Sequence, residues 1–390
     1  MFTLQISNKE MLRALSAVSK VISTKNSLSI LDNALISEGD GKFYVTGSNQ
    51  QTELTVSCDI KVLNGQFENF CVPAFKMQSM LATLGDQVLN IDVDNSNNHV
   101  AMHIAYMTGE FDLPGNPAQE YPRMNQDGEA IVGYNLPTDT MTMALKSAMQ
   151  NCAADELRMV MNGVCMDAHM EGVHLVASDG HKLYSYNHEA GIPFLTEGNL
   201  TDPKQTIPVI LNKAVIPAVT EAFRGTENVS IVCTDRQIRL NSNNAWLVTT
   251  RIEGNYPKWQ SIIPSREMMS QHLCANVKEL TTALKRVLLC ASVATELVKL
   301  EYKDGNLVLT SEDIDFSLKA KETVALTDAV MQEGFTIGIK GNALITHLGY
   351  VTTDNVRLEF AEPSKPIILK EDAEKGTPLL CLLMPMLLNA

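Results

Sequence analysis

Apolar residues recur at helical spacing in three well-separated stretches. Met11, Leu15, Val18 and Ile22 mark one face of the first, Met141, Leu145, Ala148 and Cys152 the second, and Leu280, Leu284, Val287 and Ala291 the third. The shared i, i+4, i+7, i+11 stripe predicts an amphipathic helix opening each third of the chain, over residues 9–20, 138–152 and 277–291. The period then changes to alternation. KFYVTGSNQQTELTVS from Lys42, GVHLVASDGHKLYSYN from Gly172 and NLVLTSEDIDFSLKA from Asn306 each carry a Ser/Asn/Asp/Gly cluster between strand-like runs, and so predict hairpins. Ser48, Ser178 and Ser311 hold matching places, 130 and 133 residues apart. A second helix is predicted over 74–84, 212–223 and 342–350, with Pro217 shortening or kinking the middle one. Further strands start at Val88, Val229 and Val356.

Four elements recurring in one order favour triplication over chance similarity. The expected fold is α+β, with three repeated domains over 1–126, 127–263 and 264–390, each carrying two helices packed on antiparallel sheets. Both boundaries have loop chemistry: Asn125-Gln126-Asp127-Gly128 at the first, Pro264-Ser265-Arg266 at the second. A period near 130 residues is too long for a solenoid, so each copy is expected to be a domain of its own.

Composition adds constraints. With 45% hydrophobic and 19% charged residues, the 390-residue chain has matter for more than one core and no signature of disorder. The amino terminus lacks a signal-peptide pattern, and the longest apolar stretch, 378–388, is interrupted by Pro385 and too short to span a bilayer. Eight cysteines without ligand spacing read as buried thiols in a reducing cytoplasm, and neither metal nor cofactor is expected. The net charge of -14 would repel nucleic acid if evenly spread. It is not evenly spread. The stretches 9–20 and 277–289 each carry +2, residues 74–84 carry +1, and the other two predicted helices are neutral. Lys9 with Arg13, and Lys278 with Lys285, share helix faces. A basic face on an acidic chain suits sequence-independent contact with a phosphate backbone.

The segment ELRMVMNGVCMDAHMEGVHLVASDGHKLYSYN, with its Ser178-Asp179-Gly180-His181-Lys182-Leu183 turn, closely resembles the middle domain of the bacterial DNA polymerase III beta-subunit family, the sliding clamps. GNYPKWQSIIPS from Gly254 and Met384-Pro385-Met386 near the end are similar to two further family motifs, so the resemblance spans essentially the whole chain. It implies a head-to-tail homodimer closing a ring of six similar domains around duplex DNA, and a non-enzymatic processivity factor that tethers its partners. Those partners would be replicative and repair polymerases, the clamp loader and other proteins with clamp-binding linear motifs. The resemblance implies that partner peptides meet Met161, Ser178, Gly180, His181, Lys182, Leu183, Pro257 and Ile262 on one wall, and Leu382, Met384, Pro385 and Met386 on the other. It implies that Lys9, Arg13, Lys20, Lys25, Lys146, Lys213, Lys278, Lys285 and Arg286 face DNA, and that Lys76, Leu289, Glu312, Asp313 and Asp315 lie at the dimer edge. Family arginines are replaced by Phe75, Asn212 and Ser261, and the family's terminal Arg-Leu becomes Leu387-Leu388. These departures touch DNA contacts more than peptide contacts and keep open a clamp-like scaffold that does not encircle DNA. Ser178, Asp179 and His181 also invite a hydrolase reading, but no nucleophile elbow or oxyanion loop accompanies them. Glu312, Asp313 and Asp315 lack the glycine and distant glutamate of a calcium loop.

Overall fold

The computed structural model describes residues 1–96, 99–189, 205–373 and 377–388. Among these, the six helices are α1 (Asn8–Val18), α2 (Ala74–Leu81), α3 (Thr138–Met149), α4 (Ile216–Ala222), α5 (Val277–Leu288) and α6 (Gly341–Leu348). All six begin within four residues of the predicted positions. Pro217 acts as expected: a 3-10 turn over Lys213–Val215 precedes α4, and the proline sits in the first turn of the α-helix, where its missing N–H is harmless.

The chain forms two compact units, each drawing on part of the middle third. One contains Met1–Lys146 and Leu211–Glu253; the other contains the described parts of Ser147–Glu189, Thr206–Ile210 and Gly254–Ala390. Segments 121–129 and 263–270, where the boundary chemistry lies, carry neither helix nor strand.

In the first unit a continuous antiparallel sheet runs from Ala130–Pro137 to Lys61–Asn64. Between its fourth and fifth strands is a seam that joins Ala245–Thr250, from the middle third, to Thr52–Cys58, from the first predicted hairpin, with Val56 opposite Ala245 and Thr52 opposite Thr249. The hydroxyls of Thr52 and Thr249 are hydrogen-bonded at 2.8 Å, and the Thr250 N–H donates to Gln51 O at one end of the seam while the Ser57 N–H donates to Asn244 O at the other. α1 buries Met11, Ala14, Leu15 and Val18 against this sheet, each at most 1% exposed. Burying one such large side chain contributes about 1.5–3 kcal/mol. The helix approaches the strand Lys42–Ser48 so closely that a Cβ on Gly47 would lie 2.9 Å from both Val18 Cβ and Val18 O.

The second unit repeats the arrangement. Its sheet runs from the strand that begins at Ile207 to Thr336–Lys340, and its seam joins Lys182–His188 to Leu379–Leu383, with Lys182 opposite Leu383 and Tyr186 opposite Leu379. The seam ends match the first: the Met384 N–H donates to His181 O, and the Asn187 N–H to Pro378 O, both at 2.8 Å. α5 is capped by the Asn276 side chain, which accepts from the Lys278 and Glu279 N–H groups, and it buries Leu280, Ala283, Leu284 and Val287. Buried carboxylates hold the connecting segments. Glu53 accepts from Arg123 and the Met124 N–H; Asp167 accepts from Trp259 Nε1 at 3.0 Å and Gln260 Nε2 at 3.2 Å.

The third hairpin departs from expectation. Its first strand runs on to Asp313, so Ser311 lies inside a strand and its hydroxyl bonds Val287 O, whereas Ser48 and Ser178 end their strands. Asp313 makes the later turn by accepting from the Asp315 and Phe316 N–H groups.

Gly47→Ala is expected to destabilise the first unit by about 1–3 kcal/mol in urea unfolding, because the atoms met include helix backbone that cannot swing aside. An unchanged midpoint would contradict the tight α1–sheet contact.

Candidate functional site: a groove at the end of a strand seam

The second seam ends in a cavity of about 550 Å³. Local chemistry at the hairpin tip shapes its first wall. Ser178 Oγ donates to Lys182 O at 2.8 Å and accepts from the Gly180 N–H at 3.1 Å, and Asp179 Oδ1 accepts from the His181 and Lys182 N–H groups, both at 2.9 Å. Gly180 takes φ +91°, which L side chains rarely adopt, and a Cβ there would lie 3.0 Å from the Arg158 guanidinium. Ser178 and Asp179 thus spend their polar atoms on backbone, as a turn does.

The opposite wall is the chain after Leu383. Pro385 has no N–H to leave unpaired, and the Met386 N–H donates to Gly338 O at 2.8 Å. A Cβ on Gly338 would meet Met386 O and Leu388 Cδ2, each at 2.8 Å, so this crossing requires glycine. Leu383, Met384, Pro385 and Met386 supply apolar, adaptable lining.

Of the twelve residues expected at this site, His181, Lys182, Met384, Pro385 and Met386 line the cavity. Met161, Ser178, Leu183 and Leu382 are buried, from 0% to 8% exposed, and are not part of the lining. Gly180 is part of the tip. Pro257 and Ile262 are exposed and absent from the lining, on the segment that Trp259 anchors to Asp167. The remaining lining is Asp179 at the hairpin tip and Leu383 at the end of its strand, together with residues that sequence reasoning did not reach: Ala294, Thr295 and Glu296 after α5, Lys340 just before α6, and Asn342, Ala343 and Thr346 within it. The residues around α5 and α6 come from segments with generic helix and helix-end composition, which carries no pocket signal.

Polar contacts, exposed at Lys182 and buried at His347, adjoin the lining. Lys182 Nζ donates to Gln150 O at 2.6 Å. His347, fully buried in α6, bonds through Nε2 to Asn151 Oδ1 at 2.8 Å, and Asn151 Nδ2 donates to Ser147 O and Tyr350 Oη. Because Asn151 Oδ1 can only accept, Nε2 carries the ring proton. Burial pushes the His347 pKa down to about 3, and the nearby Lys182 acts in the same direction.

The expected DNA-facing cations differ among themselves. Lys9, Lys20, Lys25, Lys146, Lys278 and Lys285 are exposed, and Lys213 is half-buried in its 3-10 turn. Arg13 pairs with Glu10 at 2.9 Å and donates to Ser57 O. Arg286 makes two 2.7 Å bonds to Glu322, whose carboxyl it holds below the usual range. Glu322 lies outside the helix, so counting charge along α5 alone overstates its local surplus. At the expected dimer edge Lys76, Leu289, Glu312 and Asp315 are exposed, Leu289 at 80%. Asp313, also expected there, is 6% exposed and holds the turn by accepting from the Asp315 and Phe316 N–H groups. Ile314 and Phe316, which alternation does not single out, are 80% and 75% exposed beside it.

All eight cysteines are free thiols; six are buried, and Cys152 and Cys290 are partly exposed. Burial pushes Cys58, Cys71 and Cys233 up to about 12, far from reactive thiolates. Among the described residues no group of three His, Cys, Asp or Glu side chains could hold a metal, and no helix is long and apolar enough to cross a membrane.

Three family models match in order: the N-terminal domain of the DNA polymerase III beta subunit over residues 2–125, the central domain over 135–258 and the C-terminal domain over 260–386. The chain is 24% identical over 366 residues to the beta sliding clamp of Synechocystis sp., covering 91% of this chain and 92% of that one. It is also 24% identical over 394 residues to the beta sliding clamp of Caulobacter vibrioides, covering 98% and 99%. Among solved structures, the DNA polymerase III beta subunit of Thermotoga maritima aligns over 100% of both chains with a TM-score of 0.85 at 20% identity. The Pseudomonas aeruginosa sliding clamp bound to griselimycin aligns over 99% of this chain and 100% of its own with a TM-score of 0.86 at 19% identity. These structures share the fold.

His347 ties the α6 side of the groove to Asn151, and its depressed pKa sets a pH window. With an unfolded value near 6.5, the unfolded chain binds the extra proton between about pH 3 and about 6.5. Stability therefore rises with pH across that window and levels off above it. His347→Gln, which keeps a donor for Asn151, is expected to remove up to about 1.4 kcal/mol per pH unit of that slope. Urea unfolding of both proteins at about pH 5 and about pH 7 checks this; parallel pH dependence would contradict it.

Proposed function

Because the chain belongs to the DNA polymerase III beta-subunit family, we propose that it is a DNA polymerase processivity factor: a sliding clamp in which two copies close head to tail around duplex DNA. The carrying observation is the strand seam. Among the described residues, Ala245–Thr250 and Leu379–Leu383 have both edges paired, whereas the corresponding strand Gly109–Pro117 pairs with His99–Tyr106 and, at its far end only, with Phe70–Pro73. Likewise Thr52–Cys58 and Lys182–His188 are paired on both sides, but residues 318–325 pair only with Asn306–Asp313. One donor edge and one acceptor edge of the same kind are left over. Two copies satisfy both edges in a heterologous contact that closes.

In this reading the repeats span 1–126, 127–263 and 264–390. Lys76 of one copy meets Glu312 and Asp315 of the other, beside Leu289, Ile314 and Phe316. A groove of about 440 Å³ between α5 and residues 323–325, along the open edge, is space for the neighbouring copy to fill. The exposed lysines face DNA without reading its bases. Because the ring holds DNA topologically, weak and mobile contacts suffice. The groove takes linear peptides of replicative and repair polymerases, the clamp loader and other partners, and the protein performs no catalysis of its own. It acts in the cytoplasm. A scaffold that does not encircle DNA is the second reading, favoured by the Arg13–Glu10 and Arg286–Glu322 pairs, which reduce the cationic surface.

Encirclement predicts that protein assembled by its loader on nicked circular plasmid stays bound at high salt and is lost when the plasmid is linearised. Loss at the same rate from circular and linear DNA would favour the scaffold. Reversing charge at Lys25 and Lys213 together is expected to lower DNA-dependent polymerase stimulation while leaving peptide binding intact.

A further inference from the structure

We infer that Lys340 makes the groove selective for a partner segment carrying a carboxylate, with Glu296 as a counter-charge that the incoming group displaces. This rests on reading the cavity as a peptide groove.

The lining holds two cations, Lys182 and Lys340, and two carboxylates, Asp179 and Glu296. Two of these four charges are fixed by close bonds. Asp179 Oδ1 accepts two backbone N–H groups, and Lys182 Nζ is fixed 2.6 Å from Gln150 O. The Glu296 side chain is 29% exposed. Lys340 differs. Its side chain is 58% exposed, and the ion pair it makes, to Glu296 Oε2, is 3.5 Å long. A charge-assisted bond settles near 2.7–2.9 Å, and an ammonium has three donors to place. Lys340 therefore has donor capacity facing the cavity.

Glu296 is held in an unusual way. It takes φ +52° without being glycine, fixed by its own N–H donating to Ser292 O at 2.8 Å and by the Gly341 N–H donating to its carbonyl at 2.9 Å. The second bond joins the loop after α5 to the residue beside Lys340, so the backbone sets this carboxylate next to that ammonium. The side chain remains free to turn away.

The sign of the preferred ligand follows. A basic ligand reaching for Glu296 would bring like charge against Lys340 and Lys182. A carboxylate reaching Lys340 meets a donor-rich cation, and Glu296 can rotate to solvent. The lining sums to zero in a chain of net charge -14, so the groove lacks the repulsion an anion meets elsewhere. The occupant is an extended segment whose apolar side chains rest on Met384, Pro385 and Met386 and whose Asp or Glu reaches Lys340.

The test uses the full chain and fluorescein-labelled apolar pentapeptides with one Glu stepped through successive positions, each paired with its Gln twin, read by anisotropy. At one position the Glu peptide is expected to bind about threefold to fivefold more tightly than its twin at low salt, the range of an exposed ion pair. The advantage shrinks as salt rises. Lys340→Gln is expected to erase it, Lys340→Arg to retain it, and Glu296→Gln to strengthen the Glu peptide alone. Equal binding of every pair to the wild type, or a preference surviving in Lys340→Gln, overturns the inference while leaving the peptide groove standing. If no peptide of either kind binds, the groove reading itself fails and the inference with it.

Discussion

A strand cannot leave a row of N–H and C=O groups unpaired without either exposing them to water or finding another edge. Here that constraint joins the repeats. Two seams, between Thr52–Cys58 and Ala245–Thr250 and between Lys182–His188 and Leu379–Leu383, carry equivalent hydrogen bonds at both ends. Backbone pairing gives them direction and register. The side chains along them, such as the Thr52–Thr249 hydroxyl pair and the Leu183–Leu382 apolar pair, make one alignment better than its neighbours.

The groove is a by-product of the same geometry. Where the second seam ends, the hairpin tip turns back on Ser178 and Asp179 while the partner strand runs on through Pro385 to cross Gly338. The two chains diverge, and the space between them is closed by the start of α6 and the loop after α5. Below it the Asn151–His347–Tyr350 network replaces apolar packing with directional bonds, which hold the helix in one position relative to the strand. The groove thus has a hydrogen-bonded base and a rim lined by Met384 and Met386.

Much of this organisation was legible in the chain. The i, i+4, i+7 stripes located the first helix of each repeat because burial of one face on a sheet demands that period, and alternation located the hairpins for the same reason. The matching of Ser48 and Ser178 held, since both side chains serve hairpin tips; that of Ser311 did not, because Asp313 supplies a turn-forming carboxylate two residues later. The resemblance selected His181, Lys182 and the terminal methionines. It could not supply Lys340 and Glu296, whose proximity depends on a backbone bond between the loop after α5 and Gly341. Nor could charge counting along α5 detect Glu322, which reaches Arg286 from a strand 36 residues away. Pairings made across the fold are invisible to any window along the sequence.

The central claim is that the two leftover edges, at residues 109–115 and 318–325, are completed by a second copy. Light scattering of the full chain across a dilution series tests it most directly. A mass near twice 42.9 kDa that persists on dilution is the predicted result. A mass of 42.9 kDa at every concentration would contradict it, leaving both edges open and the ring without a means of closure.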